Sequence, residues 1–183
     1  MKVAAVLVSL ALTAASELRA QGLAGQFSSE FVVPDGSVLR LVTSNDFCAI
    51  EQSLRDGQTR RLALDLRPPC YFPIWRNAPP RNAARTSRPL GATGDIAVWQ
   101  YGKDNTTVVA VIGDPVPERM CPGGSCRAPP RQDFRCGGSL QAGLLRGRQL
   151  VRSAKRGPGV FCVETGLDEK EFWLLAHPRS RAN

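Results

Sequence analysis

The chain has 183 residues, 43% of them hydrophobic, and carries 24 Lys and Arg against 16 Asp and Glu, a formal net charge of +8. That length supports one domain with a real core and is short for two. Its single histidine excludes metal sites built on two imidazoles, and with them the H-E-x-x-H class of zinc hydrolase.

After Met1 and Lys2 an uncharged, mostly apolar run extends from Val3 to Ser16. One basic residue ahead of a short apolar stretch is the arrangement of a secretory signal. The stretch is shorter than the roughly 20 apolar residues that a membrane-spanning helix needs. Leu18-Arg19-Ala20, with a small residue before Gln21, offers a cleavage site. Residues 1–20 are therefore expected to be a signal peptide, and residues 21–183 a single exported β-rich domain, periplasmic or extracellular. Removing 20 of the 183 residues leaves 163, with 22 basic and 15 acidic side chains and a net charge of +7.

Beyond the leader, short β-branched or alternating segments are separated by turn residues. Residues 27–33 and 37–43 flank Pro34-Asp35-Gly36, and residues 46–51 and 61–66 flank Arg55-Asp56-Gly57-Gln58; each set predicts a hairpin. Residues 96–101 and 106–112 around Gly102-Lys103-Asp104-Asn105 give the clearest hairpin of the chain. Residues 149–153 and 160–164 form a weaker pair around Lys155-Arg156-Gly157-Pro158-Gly159. Residues 171–176 alternate at Phe172, Leu174 and Ala176, which favours a strand, although Thr165-x-x-Asp168 just before them could cap a helix. No long apolar stripe of helical period occurs. The expected fold is all-β: a small disulfide-stapled sandwich, barrel or trefoil-like domain with two long Pro-rich loops.

Those loops are residues 67–94, with six prolines, and residues 114–135, with five prolines and the tight Cys121-Pro122-Gly123-Gly124-Ser125-Cys126 turn. Long loops in a compact domain usually carry function. In an exported chain the six cysteines read as three disulfides; the sequence leaves fifteen connectivities open, of which pairing neighbours in order, as Cys48–Cys70, Cys121–Cys126 and Cys136–Cys162, is the one expected here. A zinc site from Cys121, Cys126, Cys136 and His177 is the alternative. Its C-x4-C spacing is wider than the common metal knuckle, and an oxidising compartment disfavours free thiolates, so neither metal nor cofactor is expected.

Catalytic motifs are missing: there is no G-x-S-x-G, no phosphate-binding G-x-x-x-x-G-K-[ST] and no G-x-G-x-x-G. A serine triad would have to join His177 to Ser139 or Ser125, and His177, followed by Pro178, reads as a frayed surface residue. The acids Glu164, Asp168, Glu169 and Glu171 read as a solvated turn beside a core anchor rather than a glycosidase pair. The chain is thus expected not to be an enzyme.

The charge points elsewhere. Twenty of the basic residues are arginine, and no acid interrupts the stretch from Arg67 to Arg88; from Arg119 to Arg156 nine basic residues face Asp133 alone. Such fields attract an anionic polymer, a lipid head group or an acidic protein. The predicted contacts are Arg76, Arg81, Arg85 and Arg88 with Trp75 as a stacking surface, joined by Arg146, Arg148 and Arg152. Two other roles compete: inhibition of an extracellular enzyme through Arg119 and Met120 on the Cys121–Cys126 loop, and envelope assembly through a strand edge or apolar patch.

Overall fold

The computed structural model describes residues 30–77, 87–116 and 135–178. Among them, strand accounts for 46% and helix for 9%, so the domain is all-β. The strands in chain order are β1 (Glu30–Val32), β2 (Val38–Thr43), β3 (Cys48–Ser53), β4 (Thr59–Ala63), β5 (Ser87–Leu90), β6 (Val98–Tyr101) and β7 (Thr106–Gly113). After them come β8 (Cys136–Gly137), β9 (Ser139–Arg146), β10 (Gln149–Arg152) and β11 (Phe161–Cys162), then a 3-10 turn (Val163–Thr165) and one helix, α1 (Glu169–Ala176).

They form two main antiparallel sheets, ordered β1-β2-β3-β4 and β10-β9-β7-β6-β5, and a short β8–β11 ladder. The larger sheet is buried on both faces. Val98, Val109, Val111 and Leu145 meet Leu39 and Ile50 of the smaller sheet and Leu64 just after it. Trp99, Val108, Ala110, Ile112, Ala142 and Leu144 point the other way, under Phe172, Leu175 and Ala176 of α1. Trp75, Trp99 and Phe172 sit in a triangle with ring centres 5.9–6.0 Å apart. Each such aromatic removes enough apolar surface to contribute about 4 kcal/mol before entropy is counted. Gly143 lets the two sheets pack closely, for a Cβ there would stand 2.6 Å from Ile50 Cδ1.

At β4 and β10 the sheets abut without a main-chain ladder. Side chains close the seam instead: Arg60 Nη1 donates to the Arg148 carbonyl (2.6 Å), Arg152 Nη1 to Asp65 Oδ1 (2.7 Å) and Lys155 Nζ to the Asp65 carbonyl (2.8 Å). Charged side chains on exposed edges also discourage pairing with another chain. The arrangement is a sandwich, with a helix as a third layer, rather than a closed barrel or trefoil.

Three of the four expected hairpins form: β1–β2, β3–β4 and β6–β7. The fourth does not. Residues 149–152 pair with β9, and Phe161–Cys162 pairs with β8. The sequence conceals β9 because Ser-Leu-Gln-Ala-Gly-Leu-Leu is buried on both faces and so shows no alternation. Residues 169–176 are a helix, not a strand: the Asp168 carboxylate accepts the Glu171 N–H (2.9 Å), and Phe172, Leu175 and Ala176 bury one face at helical spacing. The Pro-rich 67–94 segment contains β5, whose Pro89 is tolerated on an edge strand.

Disulfides Cys48–Cys70 and Cys136–Cys162 form as expected, their partners 22 and 26 positions apart in the chain. Cys136 is thereby removed from the alternative zinc set. Cys121, Cys126, Arg119 and Met120 lie outside the described residues, as do Arg81, Arg85, Ser125 and the 1–20 leader. Among the described residues no helix is long and apolar enough to cross a membrane.

Candidate functional site

Among the described residues most cationic side chains are already engaged. On the outer face of the smaller sheet, cross-strand register lines up Glu30, Arg40, Glu51 and Arg61. Arg40 Nε meets Glu30 at 2.7 Å and Arg61 meets Glu51 at 3.0 Å. Arg135 pairs with Glu164 (2.9 Å), Arg156 with Glu171, and Lys155 with Asp114 (2.7 Å).

Arg81 and Arg85 lie outside the described residues, and the predicted contacts that are described do not form one surface. Trp75 is a correction: it is 6% exposed, its Nε1 donates to the Leu90 carbonyl (2.7 Å), and it belongs to the core rather than to a stacking surface. Proline-rich context and neighbouring arginines suggested exposure, yet the indole fills the space between the larger sheet and α1. Arg76 is exposed in the segment after it; Arg88 stands on β5, its Nε on Gln100 Oε1 (2.9 Å). Arg152 belongs to the β4–β10 seam. Arg146 and Arg148 flank the β9–β10 turn, and Arg146 reaches the carbonyl of Ala176 at 3.4 Å.

What the fold does assemble lies at the end where the β1–β2, β3–β4 and β9–β10 turns converge. Asp35, Ser37, Leu54, Arg55, Asp56 and Arg148 line a depression of about 150 Å³. Gly36, at φ +82°, seats the Arg55 side chain: any Cβ there would collide with the guanidinium. Beneath runs a buried polar chain. Gln52 Nε2 donates to Ser37 Oγ (3.2 Å), and Ser37 donates from both N and Oγ to Asp35 Oδ1 (2.8 Å each). Gln52 is fully buried and its Oε1 has no hydrogen-bond partner.

Among the described residues Arg55, Arg76, Arg148, Lys103 and Lys170 have no side-chain ion pair or hydrogen bond; of these only Arg55 and Arg148 share a depression. No known family model, characterised protein or solved structure matches the chain. The geometry has to speak by itself.

Residue-type reasoning passed over Arg55, Asp35, Ser37 and Gln52. Two successive hairpins must point their turns to the same end of a sheet, which was signal enough to bring Asp35 and Arg55 together. Arg148 could not be added without knowing that β9 pairs with β10.

The opposite end holds the structural counterpart. Asp114, at φ +60° and 8% exposed, accepts the Arg67 N–H at 2.8 Å and Lys155 Nζ at 2.7 Å, while its carbonyl accepts the Gly138 N–H. Burial alone would raise its pKa, but bonds from Lys155, the Arg67 N–H and Ser139, with the Lys155 charge, together hold it below the ordinary range. This carboxylate ties β7, β9 and two loops into one knot.

Ser139 starts β9 and His177 sits beside its far end, against Arg146, so the two cannot join in a triad. Nor is His177 frayed: it stacks on Trp173 (4.8 Å, 23°), meets Tyr101 edge-on (5.3 Å) and lies 3.6 Å from Asp104. Burial, then the Glu169 charge, pushes the Tyr101 phenol upward, so it stays protonated. The four acids of the C-terminal segment have structural partners: Glu164 on Arg135, Asp168 at the helix cap, Glu169 on Ser87 and Glu171 on Arg156.

Proposed function

We propose that this is a non-catalytic, exported binding domain whose ligand is anionic and docks at the hairpin end, with Arg55 and Arg148 as its contacts and Arg60 at the margin. The observation that carries this reading is the pair of unpartnered guanidinium groups converging on one depression, while most of the other described arginines are ion-paired. An arginine that no carboxylate neutralises meets an oxyanion without first giving up an ion pair. Export is supported by the signal-like leader and by two disulfides, which persist in oxidising compartments.

Each exposed contact contributes on the order of 1 kcal/mol or less, so useful affinity requires a multivalent or polymeric anion. Binding to such a polymer weakens steeply with salt, because each neutralised charge releases a counterion. The test compares R55A/R148A with R76A/K103A on a heparin column; both lose two positive charges. The first pair is expected to elute at clearly lower salt than wild type, and the second to shift little. Equal shifts for the two pairs would reduce the interaction to net charge and sink the proposal.

A further inference from the structure

The depression is not uniformly cationic, and its mixed character narrows the ligand class. Asp35 uses Oδ1 for both Ser37 donors, and Asp56 uses Oδ1 for the Gln58 N–H (3.0 Å). The second oxygen of each carboxylate has no partner among the described residues. Behind them the unpaired Gln52 Oε1 adds a buried acceptor. The rim therefore offers two guanidinium forks as donors and at least two carboxylate oxygens as acceptors, with Leu54 as a small apolar contact.

A polyanion without hydrogen-bond donors, such as polyphosphate, would gain from the arginines and be repelled by Asp35 and Asp56. A sugar acid avoids that conflict. Its carboxylate answers a guanidinium in the bidentate manner, and its ring hydroxyls donate to the aspartates. A depression of about 150 Å³ holds one ring of a chain rather than a large ligand. From this arrangement we infer that the hairpin end binds an acidic polysaccharide of the uronic-acid type, one uronate residue seated between Arg55 and Arg148 with hydroxyls on Asp35 and Asp56. The inference rests on the anion-binding reading above and deepens it.

The experiment measures binding of polygalacturonate and of inorganic polyphosphate to the full exported chain, in the wild type and in Asp35→Asn. The asparagine keeps the Oδ1 acceptor for Ser37 and removes one negative charge. Simple electrostatics makes this substitution strengthen binding of every polyanion. Loss of a hydroxyl acceptor does the opposite for the sugar alone, by about tenfold for one charge-assisted hydrogen bond. The expected result is weaker polygalacturonate binding and stronger polyphosphate binding. Asp56→Asn gives the same readout should Asp35→Asn fail to fold. Strengthening of both ligands, or wild-type affinity for polyphosphate equal to that for polygalacturonate, overturns the sugar-acid inference and leaves the anion-binding reading standing. If R55A/R148A binds both polymers as the wild type does, that reading falls and the inference with it.

Discussion

Asp114 shows how much one side chain can organise. It occupies a left-handed backbone conformation that Asp and Asn tolerate better than other residues with a Cβ, and its carboxylate collects donors from three directions. Because its folded pKa is depressed, the stability it supplies is fully present above the ordinary carboxylate pKa of about 4 and is lost as the pH falls through the lower folded value. Asp114→Asn is expected to lower stability by about 2 kcal/mol at neutral pH, and to flatten the acid limb of a plot of Tm against pH. An unchanged acid limb would mean that Asp114 is not the group whose protonation loosens this end. Arg55 works by the opposite logic: it is held by Gly36 without being neutralised, which leaves its charge available.

At the level of elements, α1 is a short helix with little stability of its own. Eight residues are too few to persist in water, so tertiary packing has to hold it. Phe172, fully buried against Trp75 and Trp99, is the anchor, whereas Trp173 is 45% exposed and rests on His177. Phe172→Ala should cost about 4 kcal/mol by leaving a cavity between helix and sheet, while Trp173→Ala should cost about 1 kcal/mol. Urea unfolding of the two variants separates them, and comparable losses would contradict this placement of the helix. The same dependence explains why the segment resisted reading: the alternation at Phe172, Leu174 and Ala176 fitted a strand as well as the buried Phe172, Leu175 and Ala176 fit a helix. Only contact with the outer face of the larger sheet decides between them.

Across the whole molecule one of the two described disulfides acts where the strands alone are weakest. Cys136–Cys162 fastens a ladder of two residues per strand, β8 and β11, with the cysteines directly opposite each other. Closing a loop of 26 residues stabilises the fold by on the order of 3 kcal/mol through the unfolded chain. Replacing Cys136 and Cys162 together by Ser is therefore expected to lower the urea midpoint by that equivalent while the β-sheet circular dichroism of the folded state persists. Loss of the β-sheet signal in the absence of denaturant would show that the bridge is required for folding itself. Cys48–Cys70 is buried in the core between the sheets and joins β3 to the segment after β4, so the two bridges serve different parts of the sandwich.

By itself the sequence determined the strand-rich class and three hairpins, because turn residues act over short distances along the chain; it left fifteen pairings open for six cysteines, and the fold decided Cys48–Cys70 and Cys136–Cys162. It also revealed the excess of arginine, but not which arginines matter. Trp75 looked like a surface aromatic among basic residues and is core; Arg152 looked like a ligand contact and is a seam. The structure alone decided that β9 lies at the heart of the larger sheet, that α1 is a helix, and that Arg55 and Arg148 line one depression, although 93 positions separate them in the chain. Each of these outcomes depends on burial and on strand pairing between distant segments. A strand covered on both faces loses its alternation, and a charge is spent or left free only when the partner that folding brings to it is known.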